Sequence, residues 1–261
     1  MTKVPVIELS HVSKSYGNVR AIEDVSLTVR GGEVTCILGD NGAGKSTLIK
    51  IISGLHPHDF GTLRIDGREV RFASPRQALD LGIATVYQDL ALVALMPVWR
   101  NFFLGSEVLK GVRPLRQLDI DRMRRIAYDE LGKIGIVLAD IDTPVGKLSG
   151  GEMQVVAIAR AIHFGARVLI LDEPTAALGV KQSGVVLRYV AAARGMGLAV
   201  IFISHNPHHA YLVGDHFVVL HLGRTDLDAD RSQIAPSELV ARMAGGADLA
   251  ILEHELRGAG N

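Results

Sequence analysis

A short apolar segment followed by a glycine-rich loop constrains the fold of this chain more than any other feature. Residues Val34–Leu38 are almost wholly apolar, which is typical of a strand buried on both faces of a parallel sheet. Residues 39–47 fit the pattern G-x-x-x-x-G-K-[ST], and a helix is predicted to follow over residues 46–55. Because the loop joins a buried strand to a helix N-terminus, it predicts a phosphate-binding site in an α/β fold.

The residues of this loop have separate predicted roles. Glycine lets backbone N–H groups approach phosphate oxygens closely, and the helix N-terminus adds positive potential. Lys45 is expected to reach the β- and γ-phosphates of a nucleotide, and the Ser46 hydroxyl to ligate Mg²⁺. The nucleotide-binding residues predicted in the loop are Gly39, Asn41, Gly42, Gly44, Lys45, Ser46 and Thr47.

A second apolar strand, residues 168–171, ends in the two carboxylates Asp172 and Glu173. An Asp at the carboxyl end of a parallel strand can hold Mg²⁺ beside a phosphate loop. Glu173, one residue on, is placed to act as general base on an attacking water. Acidic pairs are common on protein surfaces, so this prediction depends on the phosphate loop that accompanies it.

A third motif, Leu148-Ser149-Gly150-Gly151-Glu152, precedes a helical run over residues 153–164. Ser149 and Glu152 have the spacing of a capping box, so the motif has a purely structural interpretation. Two glycines and a serine at a helix N-terminus also make a good anion site, and both interpretations stay open.

Together, residues 39–47, 148–152 and 171–174 resemble the ATP-binding cassette family, which pairs a phosphate loop with an L-S-G-G-[EQ] signature about a hundred residues later. The resemblance covers nearly the whole chain and implies an ATPase that uses ATP and Mg²⁺. In the family, the signature of one subunit contacts the γ-phosphate held by the other. The signature residues Ser149, Gly150 and Gly151 are therefore expected to act across a dimer.

The resemblance implies further site residues. Tyr16 resembles the aromatic that stacks on adenine, Gln88 the glutamine that reaches Mg²⁺ and water, and His205 the switch histidine that contacts the γ-phosphate. The expected catalytic residues are thus Glu173, His205 and Gln88, and the expected metal-binding residues are Ser46, Gln88 and Asp172. The chain departs from the family at Gly179, where most members have Asp and where the two ATP sites communicate.

Alternation of strands and helices predicts an α/β fold of the P-loop NTPase type: a parallel sheet flanked by helices, an N-terminal antiparallel β subdomain, and an inserted helical subdomain at about residues 92–160. We expect one ATPase domain over residues 1–225. Residues 226–261 are expected to form a C-terminal helical extension and a flexible tail.

The amino-acid composition limits the classes of function that the chain can have. Lys plus Arg and Asp plus Glu both number 28, so the basic excess typical of nucleic-acid binding is missing, and no nucleic-acid partner is expected. The single cysteine, Cys36, fits a reducing compartment. No apolar run reaches the roughly 20 residues that span a bilayer, so any role at a membrane is expected to go through a partner. The family resemblance implies a peripheral protein on the cytoplasmic face of the plasma membrane.

Residues 87–93 and 97–105 resemble the ATPases of bacterial ribose- and fructose-type importers. This resemblance implies ATP-driven uptake of a small solute, a monosaccharide, through a membrane permease, with an extracytoplasmic solute-binding protein in the full system. Met96, Trp99, Phe102 and Phe103 would line the groove that receives the permease. For Phe102 and Phe103, packing inside the helical subdomain is an equal alternative.

One phosphate loop and one signature in the chain predict a homodimer with two equivalent sites. The alternative function is a soluble cassette in metal-cluster assembly or another role outside transport. A nucleotide sensor that never hydrolyses ATP is disfavoured, because Glu173 and His205 are both present.

Overall fold

A computed structural model describes residues 5–112, 115–133 and 140–243 of the chain. The strands are β1 (Pro5–Tyr16), β2 (Val19–Arg30), β3 (Val34–Leu38), β4 (Phe60–Ile65), β5 (Arg68–Glu69), β6 (Ile83–Val86), β7 (Leu109–Lys110), β8 (Gln117–Leu118), β9 (Val168–Asp172), β10 (Ala199–Ser204), β11 (His216–His221) and β12 (Arg224–Asp230). The helices are α1 (Lys45–Ile52), α2 (Pro75–Asp80), α3 (Val98–Phe103), α4 (Ile120–Lys133), α5 (Gly150–His163), α6 (Val180–Gly195), α7 (Pro207–Val213) and α8 (Pro236–Met243).

The main sheet has the strand order β12-β11-β3-β10-β9-β6 and is parallel except at β12. Every residue of β3 is buried, as its apolar sequence predicts for a central strand. In the register, Leu38 lies beside Ser204, and Asp172 lies beside Ile203. The loop after β3 and the carboxylates after β9 therefore emerge at the same edge, and the predicted α/β fold with a parallel sheet is confirmed.

A second, antiparallel sheet of order β2-β1-β4-β5 covers one side of α1. Ile22 and Val25 of β2, Leu48 and Ile49 of α1, and Ile37 of β3 belong to one buried cluster. The helix that follows the phosphate loop is thus enclosed between two sheets. The predicted antiparallel β subdomain is confirmed, and within it β4 and β5 form a hairpin that turns at residues 66–67.

The helical insertion is built around buried aromatic side chains and one buried amide. Asn101 has no exposed surface, and its side chain both accepts from Val93 N–H and donates to the carbonyls of Val93 and Met96. These bonds fix the irregular segment before α3. The insertion also contains the short β7–β8 hairpin, which the sequence did not predict.

The aromatic residues of α3 are mostly buried, whereas the sequence led us to expect that they offer apolar surface to a permease. Phe102 and Phe103 are buried, Trp99 is nearly so, and all three belong to the core cluster of the helical subdomain. Trp99 donates its indole N–H to Asp142 at 2.9 Å, which satisfies its one polar group. For Phe102 and Phe103, the structure therefore agrees with packing inside the helical subdomain, the alternative that the sequence left open.

The C-terminal part of the described chain differs from expectation at one strand. β12 pairs antiparallel with β11, so the main sheet continues past the boundary predicted at residue 225. α8 is a helix within the predicted C-terminal helical extension. The predicted flexible tail, residues 244–261, lies outside the described residues.

His216 ties the edge strand β12 to the rest of the main sheet. Its Nδ1 lies 2.7 Å from Asp230 and its Nε2 2.8 Å from Asp228, and both carboxylates belong to β12. Two carboxylates on the two ring nitrogens favour the doubly protonated imidazolium. The hydrogen bond to Asp228, followed by that to Asp230, raises the pKa of His216 against the opposing effect of burial.

We expect His216→Gln to destabilise the protein most at low pH. A histidine whose folded pKa lies above its unfolded value of about 6.5 stabilises the fold fully below that pH, and this contribution is lost as pH rises through the folded pKa. Urea unfolding of wild type and variant at pH 6 and pH 8.5 measures the difference. The same substitution at exposed His11 serves as control and should change little at either pH. A pH-independent loss at His216 would contradict the prediction.

Candidate nucleotide-binding site

A cavity of 320 Å³ opens at the carboxyl edge of the main sheet, between the phosphate loop and β2. It brings together most of the predicted site residues from three separate parts of the sequence. Its lining residues are Val19, Arg20, Ala21, Asp40, Asn41, Gly42, Ala43, Gly44, Lys45, Ser46, Thr47, Gln88, Asp172 and Glu173.

The loop reaches this position because two of its glycines lie against neighbouring backbone. Gly44 has a φ of 105°, and a Cβ there would lie 2.7 Å from Ile22 Cγ2 and 2.8 Å from the Ala21 carbonyl oxygen. Gly39, with a φ of 143°, would collide with the carbonyl of Leu220 if it carried a Cβ. No side chain caps α1, so its first backbone N–H groups remain free to bind an anion.

Lys45 lies inside the loop with only 7% of its surface exposed. Its ammonium donates to the carbonyl oxygens of Gly39 at 2.6 Å and Asp40 at 2.9 Å, which places the charge at the centre of the loop. Burial lowers the pKa of Lys45, while Glu173 and other nearby carboxylates oppose that change. Gly39 therefore belongs to the site through its carbonyl, although it does not line the cavity.

The carboxylates of Asp172 and Glu173 also line this cavity. Burial, followed by the charge of Glu173, raises the pKa of Asp172, and Lys45 opposes this shift. Glu173 has a φ of +48°, a left-handed conformation that is costly for a residue other than glycine, and its N–H donates to the Ile203 carbonyl at 3.0 Å. Strain of this kind, held by surrounding structure, is frequent at functional sites.

His205 contacts the carboxylate of Glu173. Its Nδ1 lies 2.9 Å from Glu173 Oε2, and its side chain is 57% exposed while that of Glu173 is 13% exposed. When Nδ1 carries the proton and donates it to the carboxylate, Nε2 faces away from that bond. The structure thus joins Glu173 and His205, which lie 32 positions apart in sequence.

Tyr16 stands at the rim of the cavity and not in its lining. It is the last residue of β1, pairs with Val19 across a two-residue turn, and is 41% exposed. Val19, Arg20 and Ala21 are cavity residues that sequence reasoning missed. The Gly-Asn dipeptide between Tyr16 and Val19 is a hairpin signal that would have placed Val19 opposite the ring.

The signature residues lie away from this cavity. Ser149 caps α5 by accepting from the N–H of Glu152, and Glu152 accepts from Ser149 N–H at 2.8 Å, so the capping box is present. A Cβ on Gly150 would lie 2.7 Å from a Leu178 methyl group, which explains a glycine there on packing grounds. The signature's action on a nucleotide stays a prediction that needs a second subunit.

Comparison with known proteins gives the family. The family model described as ABC transporter matches residues 22–176. The xylose/arabinose import ATP-binding protein of Sulfolobus acidocaldarius is 43% identical, over 84% of this chain and 86% of its own length. The chain belongs to the ABC transporter family.

Further relatives carry the same kind of name. The fructose import ATP-binding protein of Rhizobium meliloti is 40% identical over 94% of this chain and 96% of its own length. A ribose import ATP-binding protein of Burkholderia cenocepacia is 39% identical over 92% of this chain, but the chain spans 47% of that relative's length. As an ABC transporter ATP-binding protein, the chain is an ATPase whose hydrolysis is coupled to transport.

Solved structures of other ABC transporter cassettes have the same fold as this chain. CbiO1 of Clostridium perfringens, part of the ABC transporter complex CbiONQ, matches with a TM-score of 0.77 at 26% identity, over 98% of this chain and all of that one. A dimeric bacterial ABC transporter cassette matches with a TM-score of 0.70 at 25% identity, over 86% of this chain and 98% of that one. In the described part of this ABC protein, no helix has the length and apolar character to cross a bilayer.

The departure from the family at Gly179 has no structural cause in this chain. Gly179 is the N-cap of α6 with a φ of −68° and a ψ of 163°, which any residue adopts. A Cβ there would meet no atom within 4 Å. The fold would accept Asp at this position, so the glycine is not required for folding.

We expect Gly44→Ala to abolish nucleotide binding and to lower the free energy of unfolding by about 3 kcal/mol, the sum of backbone strain and overpacking. Gly42→Ala is the matched control, since Gly42 also has a positive φ, of 83°, but a Cβ there has open space. Its cost should be only the backbone strain, about 1 kcal/mol. Urea unfolding and ATP titration measure both effects, and equal costs at the two positions would refute the steric argument.

Proposed function

We propose that this ABC ATPase powers the uptake of a monosaccharide through a membrane permease. The observation that carries the proposal is the likeness to the fructose import protein, which covers nearly the full length of both chains. The relatives compared above are named for sugar import, and none of them is named for metal-cluster assembly, so the soluble alternative is not supported.

The proposed nucleotide contacts follow the cavity. Tyr16 stacks on adenine, the N–H groups of the loop and of α1 hold the phosphates, and Lys45 compensates their charge. Ser46, Gln88 and Asp172 present oxygen atoms to the same cavity, the donor type that Mg²⁺ prefers. When bound there with the nucleotide, Mg²⁺ neutralises phosphate charge that develops during hydrolysis.

The proposed chemistry uses Glu173, His205 and Gln88. Glu173 accepts a proton from the attacking water, because it is the carboxylate at the cavity wall nearest to a histidine partner. His205 orients that carboxylate through Nδ1 and presents its exposed ring toward the γ-phosphate. Gln88 lines the same cavity. Its side-chain amide helps to position the attacking water.

The proposed working unit is a homodimer in which Ser149, Gly150 and Gly151 of one subunit reach the γ-phosphate of the other. Two observations support it. The signature lies outside its own subunit's cavity, and a solved cassette of the same fold is a dimer. Gly150 and Gly151 lie in the first turn of α5, and the N-terminus of that helix contributes positive potential toward an incoming phosphate.

A second cavity, of 270 Å³, is the proposed permease site. Its lining residues include Tyr87, Asp89, Leu90, Ala157, Arg160, Ala161 and Phe164. Tyr87 and Asp89 line this cavity while Gln88, between them, lines the nucleotide cavity. A permease segment docked here would therefore move with Gln88, the residue proposed to contact water and metal. This chain would lie at the cytoplasmic face of the membrane, and an extracytoplasmic solute-binding protein would deliver the sugar to the integral membrane permease.

We expect Glu173→Gln to bind ATP as wild type does while hydrolysis falls by about 10²–10⁴, the usual contribution of a general base. Single-turnover hydrolysis and equilibrium ATP titration separate the two quantities. Glu69→Gln, at an exposed position of β5, is the matched control and should leave both unchanged. Full hydrolysis by Glu173→Gln would remove Glu173 as the base.

Reconstitution with candidate permease subunits and a panel of sugar-loaded binding proteins tests the importer itself. We expect one sugar to stimulate ATP hydrolysis, because permease closure is what brings the two cassettes together. Ala161→Glu, in the second cavity, should abolish stimulation, and Ala191→Glu, on the exposed face of α6, should preserve it. ATP turnover with no response to any permease would refute the importer role and leave an ATPase.

A further inference from the structure

The ring of Tyr16 is held by side chains to which the function above gives no role. The rings of Tyr16 and His56 meet edge to face, with centroids 5.6 Å apart and an interplanar angle of 76°. Lys14, two residues earlier on the same face of β1, has its ammonium 5.5 Å from the centre of the Tyr16 ring. Asp59 in turn binds Lys14. We call the three residues Lys14, His56 and Asp59 the Tyr16 support.

Asp59 fixes the support to the strand. One carboxylate oxygen accepts from Lys14 Nζ and the other from Ser15 N–H, each at 2.7 Å, and Asp59 N–H donates to the Ser13 carbonyl at 2.9 Å. The Lys14 hydrogen bond, followed by that of Ser15, lowers the pKa of Asp59, so the carboxylate stays charged at neutral pH. The Lys14 side chain is 13% exposed and that of Asp59 is 34% exposed, so the ion pair is partly shielded from solvent.

The support is continuous with the phosphate loop through one helix. α1 begins at Lys45, and His56 and Asp59 lie in the segment directly after it. The N–H of His56 donates to the Lys50 carbonyl at 3.0 Å, which attaches that segment to the last turns of α1. An α-helix rises about 1.5 Å per residue, so the length of α1 sets the separation of its two ends. The ring and the phosphate loop are therefore held at a set distance.

Part of the Tyr16 ring remains exposed to solvent beside the nucleotide cavity. Tyr16 remains 41% exposed despite these contacts, and its cross-strand neighbour Val19 lines the cavity. An aromatic ring with an exposed face suits stacking on a purine, since every base has a π-face. A ring already held in place loses less conformational freedom when the base arrives.

We propose that Lys14, His56 and Asp59 are positioning residues for the nucleotide base, acting through Tyr16 to hold a purine at a fixed distance from the phosphate loop. The inference rests on the adenine-stacking role proposed for Tyr16. None of the three residues needs to contact the nucleotide, and none lines the nucleotide cavity.

The test compares ATP with inorganic tripolyphosphate, which carries the phosphates without the base. Calorimetric titration of Lys14→Met, His56→Ala and Asp59→Asn should show ATP affinity about two- to fivefold weaker, the scale of a partly exposed ion pair. Tripolyphosphate affinity should not change, which also shows that each variant is folded. Equal losses for both ligands, or no loss for ATP, would overturn the proposal.

A double-variant cycle distinguishes positioning from general damage. Tyr16→Ala alone should weaken ATP binding at least about fivefold, and adding Asp59→Asn to it should cause no further loss. His56→Phe should restore most of the affinity that His56→Ala loses. Asp66→Asn, at the opposite end of β4 in an exposed pair with Arg167, is the control and should bind ATP normally.

Two failures have different meanings. If Tyr16→Ala binds ATP as tightly as wild type, the adenine role in the proposed function is wrong and the support has nothing to position. If Tyr16→Ala is weakened but the support variants are not, or if the losses of Asp59→Asn and Tyr16→Ala add, only the positioning role is wrong.

Discussion

The close approach of the phosphate loop to the backbone on both of its sides is the constraint on which the rest of the site depends. Gly44 lies against Ala21 and Ile22 of β2, and Gly39 lies against Leu220 of β11, at distances that exclude a Cβ. These contacts hold the loop between the antiparallel sheet and the main sheet. With the loop held there, α1 directs its N-terminus at the cavity and its C-terminus at the segment that supports Tyr16.

The electrostatics of the site follow from the same enclosure. Burial disfavours the charged form both of Lys45 and of Asp172, and each residue favours the charged form of the other. A site of this kind, with charges partly desolvated and held by neighbouring strands, interacts more strongly with a phosphate than the same groups would in water. The strained backbone of Glu173 and its bond to His205 add a carboxylate with a fixed orientation at the same wall.

Sequence reasoning succeeded where a local pattern and its physical cause coincide. The apolar run of β3 predicted a central strand, and the serine-to-glutamate spacing at residues 149–152 predicted the capping box. It failed for β7 and β8, because two-residue strands are too short to show an alternating pattern. It also missed β12, although Leu227 and Ala229 alternate there with aspartates. It also placed Trp99, Phe102 and Phe103 at a groove, since an aromatic residue in sequence does not reveal which face of α3 is covered.

The sequence by itself determined the family, the phosphate loop and the carboxylates after β9, because each of these is a short motif with its own backbone and charge requirements. Only the tertiary structure decided which residues lie together. Val19 lines the same cavity as the phosphate loop, Glu173 contacts His205, and Gln88 lines the nucleotide cavity while its two sequence neighbours line the second cavity. It likewise decided that Tyr16 is supported by His56 and Asp59. These contacts depend on how two sheets enclose α1, and residues far apart in sequence carry no local signal of such an arrangement.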